Sequence, residues 1–254
     1  MIVTKTDQFF RLFTQHDHAK ASGEIAKHWP SELFLSEHLR EEVEFAIEQH
    51  DRAWIPLDDQ PTWNKDKQEP HSFMNYPKEV KVEHYQKGVE EVRNESKYAG
   101  LLCSHHYLSF FDHSSNDPTI QRYISQEIKK NERIKEELGE QFNEQAFDFH
   151  FRLLQFCDDL SLYFCLNEPG IDKENETEMF KRGFRQQFEG IKEKMVAYWE
   201  QPDFILLKSG PFAETFSLEI PYKKISKAEI DQHGLKQAYE AAKTKMREAK
   251  IESE

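Results

Sequence analysis

The sequence predicts a mainly α-helical bundle with a small β-hairpin near the C-terminus. Three observations predict it. Apolar residues recur at helical spacing through most of the first 166 positions, as in Leu39, Val43 and Ile47. A two-run extended segment, FILLKSGPFAETFSLEIPYKKI, appears only after residue 203 and surrounds a Gly-Pro turn. No internal repeat or low-complexity linker divides the chain, so residues 1–225 are expected to form a single helical domain, with 226–254 as a polar helical tail.

Residues 1–14 carry Ile2, Val3, Phe9, Phe10, Leu12 and Phe13, an apolar lead-in to the first clear helix, HDHAKASGEIAKHW. On that helix His18, Ser22, Ile25 and Trp29 share one face, and the small Gly23 and Ala26 leave room for a neighbouring helix. Pro30 ends it. The spacing predicts a second helix over 36–51, starting at Ser36, with Leu39, Val43, Ile47 and His50 inward. Residues 56–82 hold four prolines and many turn formers, and read as a loop insertion. Its Trp63, His71, Phe73 and Tyr76 favour an ordered excursion near the site, a candidate lid. Further helices are expected over 83–94, 96–111, 118–138, 141–166 and 177–200. The first of the two extended runs is 204–207 and the second 216–222.

Composition narrows the function. The net charge of −13 argues against a nucleic-acid polymer or an anionic membrane as partner. It leaves room for a small anionic substrate, met by the chain alone or as a homodimer. Cys103, Cys157 and Cys165 sit in apolar surroundings and are odd in number, which reads as buried thiols of a cytoplasmic protein. The twenty phenylalanines require a large buried volume.

The helical faces also sort the polar residues. His18, His50 and Asp158 fall on inward faces of three helices, and Asp51 sits beside His50 where its helix ends. Taken singly, each has an ordinary structural role: a core histidine bonded to a carbonyl, a charge pair at a helix end, a carboxylate paired with an arginine. Taken together, two imidazoles and two carboxylates form a mixed N/O donor set suited to Mn²⁺, Fe²⁺, Co²⁺, Ni²⁺, Zn²⁺ or Mg²⁺, without choosing among them. His105 and His106 follow on a helix whose two adjacent stripes are both apolar. Either could supply a further ligand or a proton to a leaving group. Asp51, His105 and His106 are the candidates for catalysis. His28, His38, His84, His113, His150 and His233 read as surface or packing residues.

This order of motifs resembles the HD-domain superfamily of metal-dependent phosphohydrolases. The resemblance is carried by HAKASGEIA from His18, HDRAW from His50 and DDLSL from Asp158. The wider pattern is similar to an uncharacterised bacterial family of HD-like proteins with motifs H-A-x-x-S/A-G-x-I-A-x-x-W, H-D-x-x-W, L-x-S-x-H and D-x-L-S-L. On that pattern His106 is the matching histidine. The resemblance spans about residues 5–220. It implies an HD-domain-like helical bundle, a divalent metal held by His18, His50, Asp51, Asp158 and His106, and hydrolysis of a nucleotide or other small phosphate ester. Two alternatives stay open: a dinuclear iron oxygenase of HD type, and a non-catalytic metal-binding regulatory protein. Where HD phosphohydrolases often place Gly and Lys after the His-Asp pair, this chain has Ala53 and Trp54. Arg52, Arg122, Arg152 or Lys97 could substitute for that Lys.

Overall fold

The computed structural model describes residues 1–254. The chain opens with an antiparallel hairpin of β1 (Ile2–Lys5) and β2 (Phe9–Phe13), in which Ile2 pairs with Phe13. Then come α1 (Gln15–Lys27), α2 (Arg40–Gln49), the single turn α3 (Ile55–Asp58) and a two-residue hairpin, β3 (Trp63–Asn64) with β4 (Glu69–Pro70). The helices α4 (Lys78–Glu95), α5 (Lys97–Leu108), α6 (Pro118–Leu138) and α7 (Glu144–Leu166) follow. The chain closes with β5 (Val196–Gln201), β6 (Phe204–Lys208), β7 (Phe216–Ser226), α8 (Lys227–Ala241) and β8 (Thr244–Ser253).

The expectation of a mainly α bundle with one small hairpin is therefore corrected. Six strands form one sheet in the order β1-β2-β7-β8-β6-β5, antiparallel except for the β6–β8 pair. Three physical reasons explain the difference. The first strands, IVTK and FFRLF, are too short and too unevenly patterned to show clear alternation. In residues 177–200, Phe180, Phe184 and Phe188 are four apart and mimic a helical face. But Gly183 and Gly190 take left-handed φ of 76° and 89°, which breaks any helix there, and the segment resolves into a turn and then β5. In β8, the inward positions are Arg247, Ala249 and Ile251, and the rest are mostly Lys and Glu, a composition that reads as a polar helix. The expected helical tail thus holds a helix, α8, and then a ten-residue strand lying between β7 and β6, so the runs 204–207 and 216–222 do not pair with each other as the expected hairpin. The loop expected over 56–82 is also shorter than expected, because α4 begins at Lys78.

The helices are ordered by small, specific devices. Thr14 caps α1 by accepting from the Asp17 amide, Asn143 caps α7 through the Ala146 amide, and Ser226 with Glu229 forms a capping box on α8. Ser36 makes no such cap; it is left-handed, and a 3₁₀ turn, Glu37–Leu39, precedes α2. A Cβ at Gly23 would lie 2.9 Å from the Glu48 Cβ, so the expected close approach of α1 to a neighbour is made, and the neighbour is α2. A Cβ at Gly88 would lie 2.6 Å from the Ala53 Cα, so α4 presses directly on the turn that follows His50-Asp51.

One large core unites helices and sheet, and the phenylalanines fill it. Trp29 packs against Phe149, Phe156 and Phe188 at centroid distances of 6.1, 5.9 and 4.5 Å. Such aromatic pairs contribute about 0.5–1.5 kcal/mol each beyond their burial. Arg247 of β8 ties sheet to helix: its Nη1 donates to the carbonyls of Phe164, Cys165 and Asn167 at 2.7, 3.0 and 2.9 Å, satisfying the open C-terminal end of α7. The three cysteines are buried free thiols. No helix is long and apolar enough to cross a membrane.

Candidate metal centre

The inward faces of α1, α2, α5 and α7 meet at one point. His18 and His50 have no exposed surface, and His106, Asp51 and Asp158 are buried. His18 comes from the first turn of α1, His50 and Asp51 from the end of α2, His106 from α5 and Asp158 from the middle of α7. His18 Nε2 lies 2.9 Å from Asp158 Oδ1 and 4.0 Å from Asp51 Oδ2. His50 Nε2 lies 3.6 Å from each of those same two carboxylate oxygens. His106 Nε2 lies 3.9 Å from Asp158 Oδ2. Two overlapping donor triads, His18/His50/Asp51 and His50/His106/Asp158, each fall within 4.8 Å.

These spacings fit donors around one ion. With metal–ligand bonds of about 2.0–2.2 Å, neighbouring donors of an octahedron stand roughly 3.0 Å apart and opposite ones roughly 4.2 Å. The hydrogen bonds around the set fit as well. His50 Nδ1–H donates to the Ile47 carbonyl at 2.7 Å, which leaves Nε2 as the free donor, and that atom is buried without a hydrogen-bond partner. His18 Nδ1 is engaged by Ser161 Oγ, which turns His18 Nε2 toward the carboxylates. Gln15 Nε2 donates to Asp51 Oδ2 at 2.7 Å, and the Tyr107 hydroxyl reaches Asp51 Oδ1 at 3.5 Å. Anchoring of the outer atom of each ligand is how metal sites fix tautomer and direction. His106 is the exception. Its Nδ1 has no partner, and its ring is held by packing on His50 and Phe110 at 4.8 and 4.6 Å.

Electrostatics divides the group. Burial alone would depress His50, but Asp51 and Asp158 outweigh it and raise the imidazole to about 9. Burial, with His50 beside it, pushes His106 down to about 3. Burial lifts Asp51 to about 6, and although burial also works against the Asp158 carboxylate, His18 and His50 hold it well below its usual range. Without a cation, the cluster keeps a proton among its imidazoles to balance two buried carboxylates.

The cluster forms the floor of a cavity of about 320 Å³. Asp51, Asp158 and His106 line it; His18 and His50 lie outside the lining. Phe73 and Met74, from the segment expected to lie near the site, are in its wall. His105, one residue and about 100° round the helix from His106, is exposed, packs on Phe147 and Phe151, and takes no part. Nor do the four basic residues suggested as phosphate contacts. Arg52 pairs with Glu91, Lys97 with Glu137, and neither they nor Arg122 and Arg152 line the cavity. The cations that do are Lys81 and Arg185. Sequence reasoning did not single these out, nor Gln15, Tyr107 and Ser161. Ser161 was readable, standing three residues after Asp158 on the same helical face.

A family model matches residues 1–227, the family described as "Protein of unknown function (DUF3891)". The chain belongs to this family. All five clustered residues lie inside the match, which ends at the first residue of α8. No curated protein and no solved structure matches the chain.

Proposed function

We propose that this chain is a divalent-metal-dependent phosphohydrolase acting on a small phosphate ester such as a nucleotide, in the manner of the HD superfamily its motifs resemble. The observation that carries the reading is the buried, unpartnered Nε2 of His50, aimed between two carboxylates at the floor of a cavity. His18, His50, Asp51, Asp158 and His106 would hold the ion. A divalent ion bound there supplies Lewis acidity toward a phosphoryl oxygen and makes water acidic enough to be a nucleophile near neutral pH. Asp51 and Asp158 line the cavity and can accept a proton from water and orient it. Gln15 and Tyr107 fix Asp51 for that task. His106 is the one histidine of the set in the cavity wall, and since burial holds its ring neutral it is suited to ligating the ion and not to giving a proton to a leaving oxygen. The three free thiols accord with a cytoplasmic setting.

The test is elemental analysis of wild type beside Asp51→Asn, followed by a phosphate-ester screen with Mn²⁺. Near-stoichiometric metal that disappears in the variant, together with ester turnover, is the expected result. A wild-type chain that takes up no metal after loading with Mn²⁺, Fe²⁺ and Zn²⁺ sinks the reading. A dinuclear iron oxygenase is the second reading, because each of the two overlapping triads brings its own carboxylate, a ligand able to bridge two ions, whereas the one free nitrogen of His50 can bind only one. Two irons per chain and iron-dependent consumption of O₂ would support it instead.

A further inference from the structure

The cavity above the cluster has a second character that its acidic floor does not explain. Lys81 lies in its wall, half-buried in the first turn of α4. Its only polar contact is the Phe73 carbonyl, 3.2 Å from Nζ, and no carboxylate lies within 4.0 Å of it. In a chain with 47 acidic residues against 34 basic ones, a half-buried ammonium without an acid partner is unusual. Desolvation also pushes its pKa down, with no ion pair to counter it. Arg185, the other cation in the wall, is by contrast already paired, its Nε 3.3 Å from Asp159 Oδ2.

The mouth of the cavity is apolar. The chain exposes seven large hydrophobic side chains, and three of them, Met74, Phe110 and Met179, converge here from three separate segments. Their exposures are 67%, 52% and 55%. Phe110 also packs edge-on against His106, so the apolar rim begins directly beside the clustered residues. Exposed apolar side chains scattered singly need no explanation, but a ring of them around a cavity marks a binding site.

We infer that Lys81 and the rim of Phe110, Met74 and Met179 form a substrate subsite for a small phosphate monoester whose organic part is a flat apolar ring. This inference rests on reading the cavity as a substrate site. Lys81 meets the anionic group from the cavity wall, and the two thioethers and the phenyl ring lie against the faces and edge of the substrate's ring. At about 320 Å³ the cavity has room for one such ester.

The probe is phenylphosphonate, which cannot be hydrolysed at its P–C bond, measured by calorimetric titration against methylphosphonate. Both go into the full-length chain, metal-free and loaded with Mn²⁺. Phenylphosphonate is expected to bind about tenfold tighter than methylphosphonate. Phe110→Ala should cut that ratio several-fold. Lys81→Met should weaken both ligands by about tenfold with the ratio kept, and Lys81→Arg should restore binding. Because Phe110 is exposed, its variant should fold even if a Lys81 variant does not. Equal affinities for the two phosphonates, binding of neither, or a folded Lys81→Met that binds as wild type each overturn the subsite. Ring preference with no ester turned over would leave the subsite standing and defeat the hydrolase reading alone. Ester turnover without ring preference would do the reverse.

Discussion

Removing the carboxylate of Glu127 should destabilise the chain by about 3 kcal/mol, although it touches neither cavity nor cluster. Glu127 is on α6 with no exposed surface. Its Oε2 accepts from Arg93 Nη2 of α4 at 2.6 Å and from Ser104 Oγ of α5 at 2.8 Å. Asn131 completes the network: its Oδ1 accepts from the same Arg93 nitrogen at 2.8 Å and its Nδ2 donates to Ser104 at 3.0 Å. Breaking a buried pair by deleting one partner costs about 3–5 kcal/mol, because the other charge is left in a poor solvent. Here Asn131 still accepts from Arg93, and Glu90 at the surface still lies 3.3 Å from Nη1, which places Glu127→Ala at the lower end. For a chain of this size that corresponds to a melting temperature lower by roughly 6–12 °C. The network also fixes the depth and roll of α5, since Ser104 is two residues before His106. Metal affinity should therefore fall along with stability. The assay is urea unfolding followed by circular dichroism, for Glu127→Ala, Arg93→Met and the double variant. The double variant should be more stable than the sum of the single effects allows. A loss below about 1 kcal/mol for Glu127→Ala, or strict additivity of the two, would refute the reasoning.

Three further perturbations test other links. His150 accepts from the Tyr98 hydroxyl at Nδ1 and donates from Nε2 to the Leu35 carbonyl, and burial depresses it to about 4 from the usual 6.5. The fold holds the neutral ring, so the unfolded chain binds the extra proton between those values. The contribution is full above pH 6.5 and is lost as pH falls toward 4; by pH 5 the loss amounts to about 2 kcal/mol. Urea unfolding at pH 7 and pH 5 should show His150→Gln losing less on acidification than wild type, and equal losses would count against the assignment. Ser161→Ala frees His18 Nδ1 while keeping every proposed ligand, and competition with a chromophoric chelator should show metal binding weakened about 10–100-fold. Unchanged affinity would mean that Ser161 does not orient the ring. Gly88→Ala drives a Cβ into the Ala53 backbone, which cannot yield as a flexible side chain would. A loss of about 1–3 kcal/mol is expected in thermal unfolding, with reduced metal content because the displaced turn carries Asp51; wild-type stability and metal content would contradict the packing.

The histidine–aspartate cluster was more legible than the fold, and the reason is physical. A helix that packs on a core must show its buried face at a spacing of 3.6 residues, so His18, Ser22, Ile25 and Trp29 could be placed inward together, and all four are buried. The same rule placed His50 and Asp158. It could not separate His105 from His106, because α5 is buried nearly all round and has no polar stripe to mark its outside; only packing on Phe147 and Phe151 reveals which way His105 turns. Strands give a weaker signal, and weaker still where a charged side chain faces inward. Arg247 is such a residue. Read locally it makes β8 look like a surface helix, yet it is buried, with its charge spent on three carbonyls at the end of α7. What hides the strand in the sequence is thus a long-range contact that closes the helix carrying Asp158. The sheet, which appeared to be an appendage of the helices, secures one end of the element on which the proposed metal centre depends.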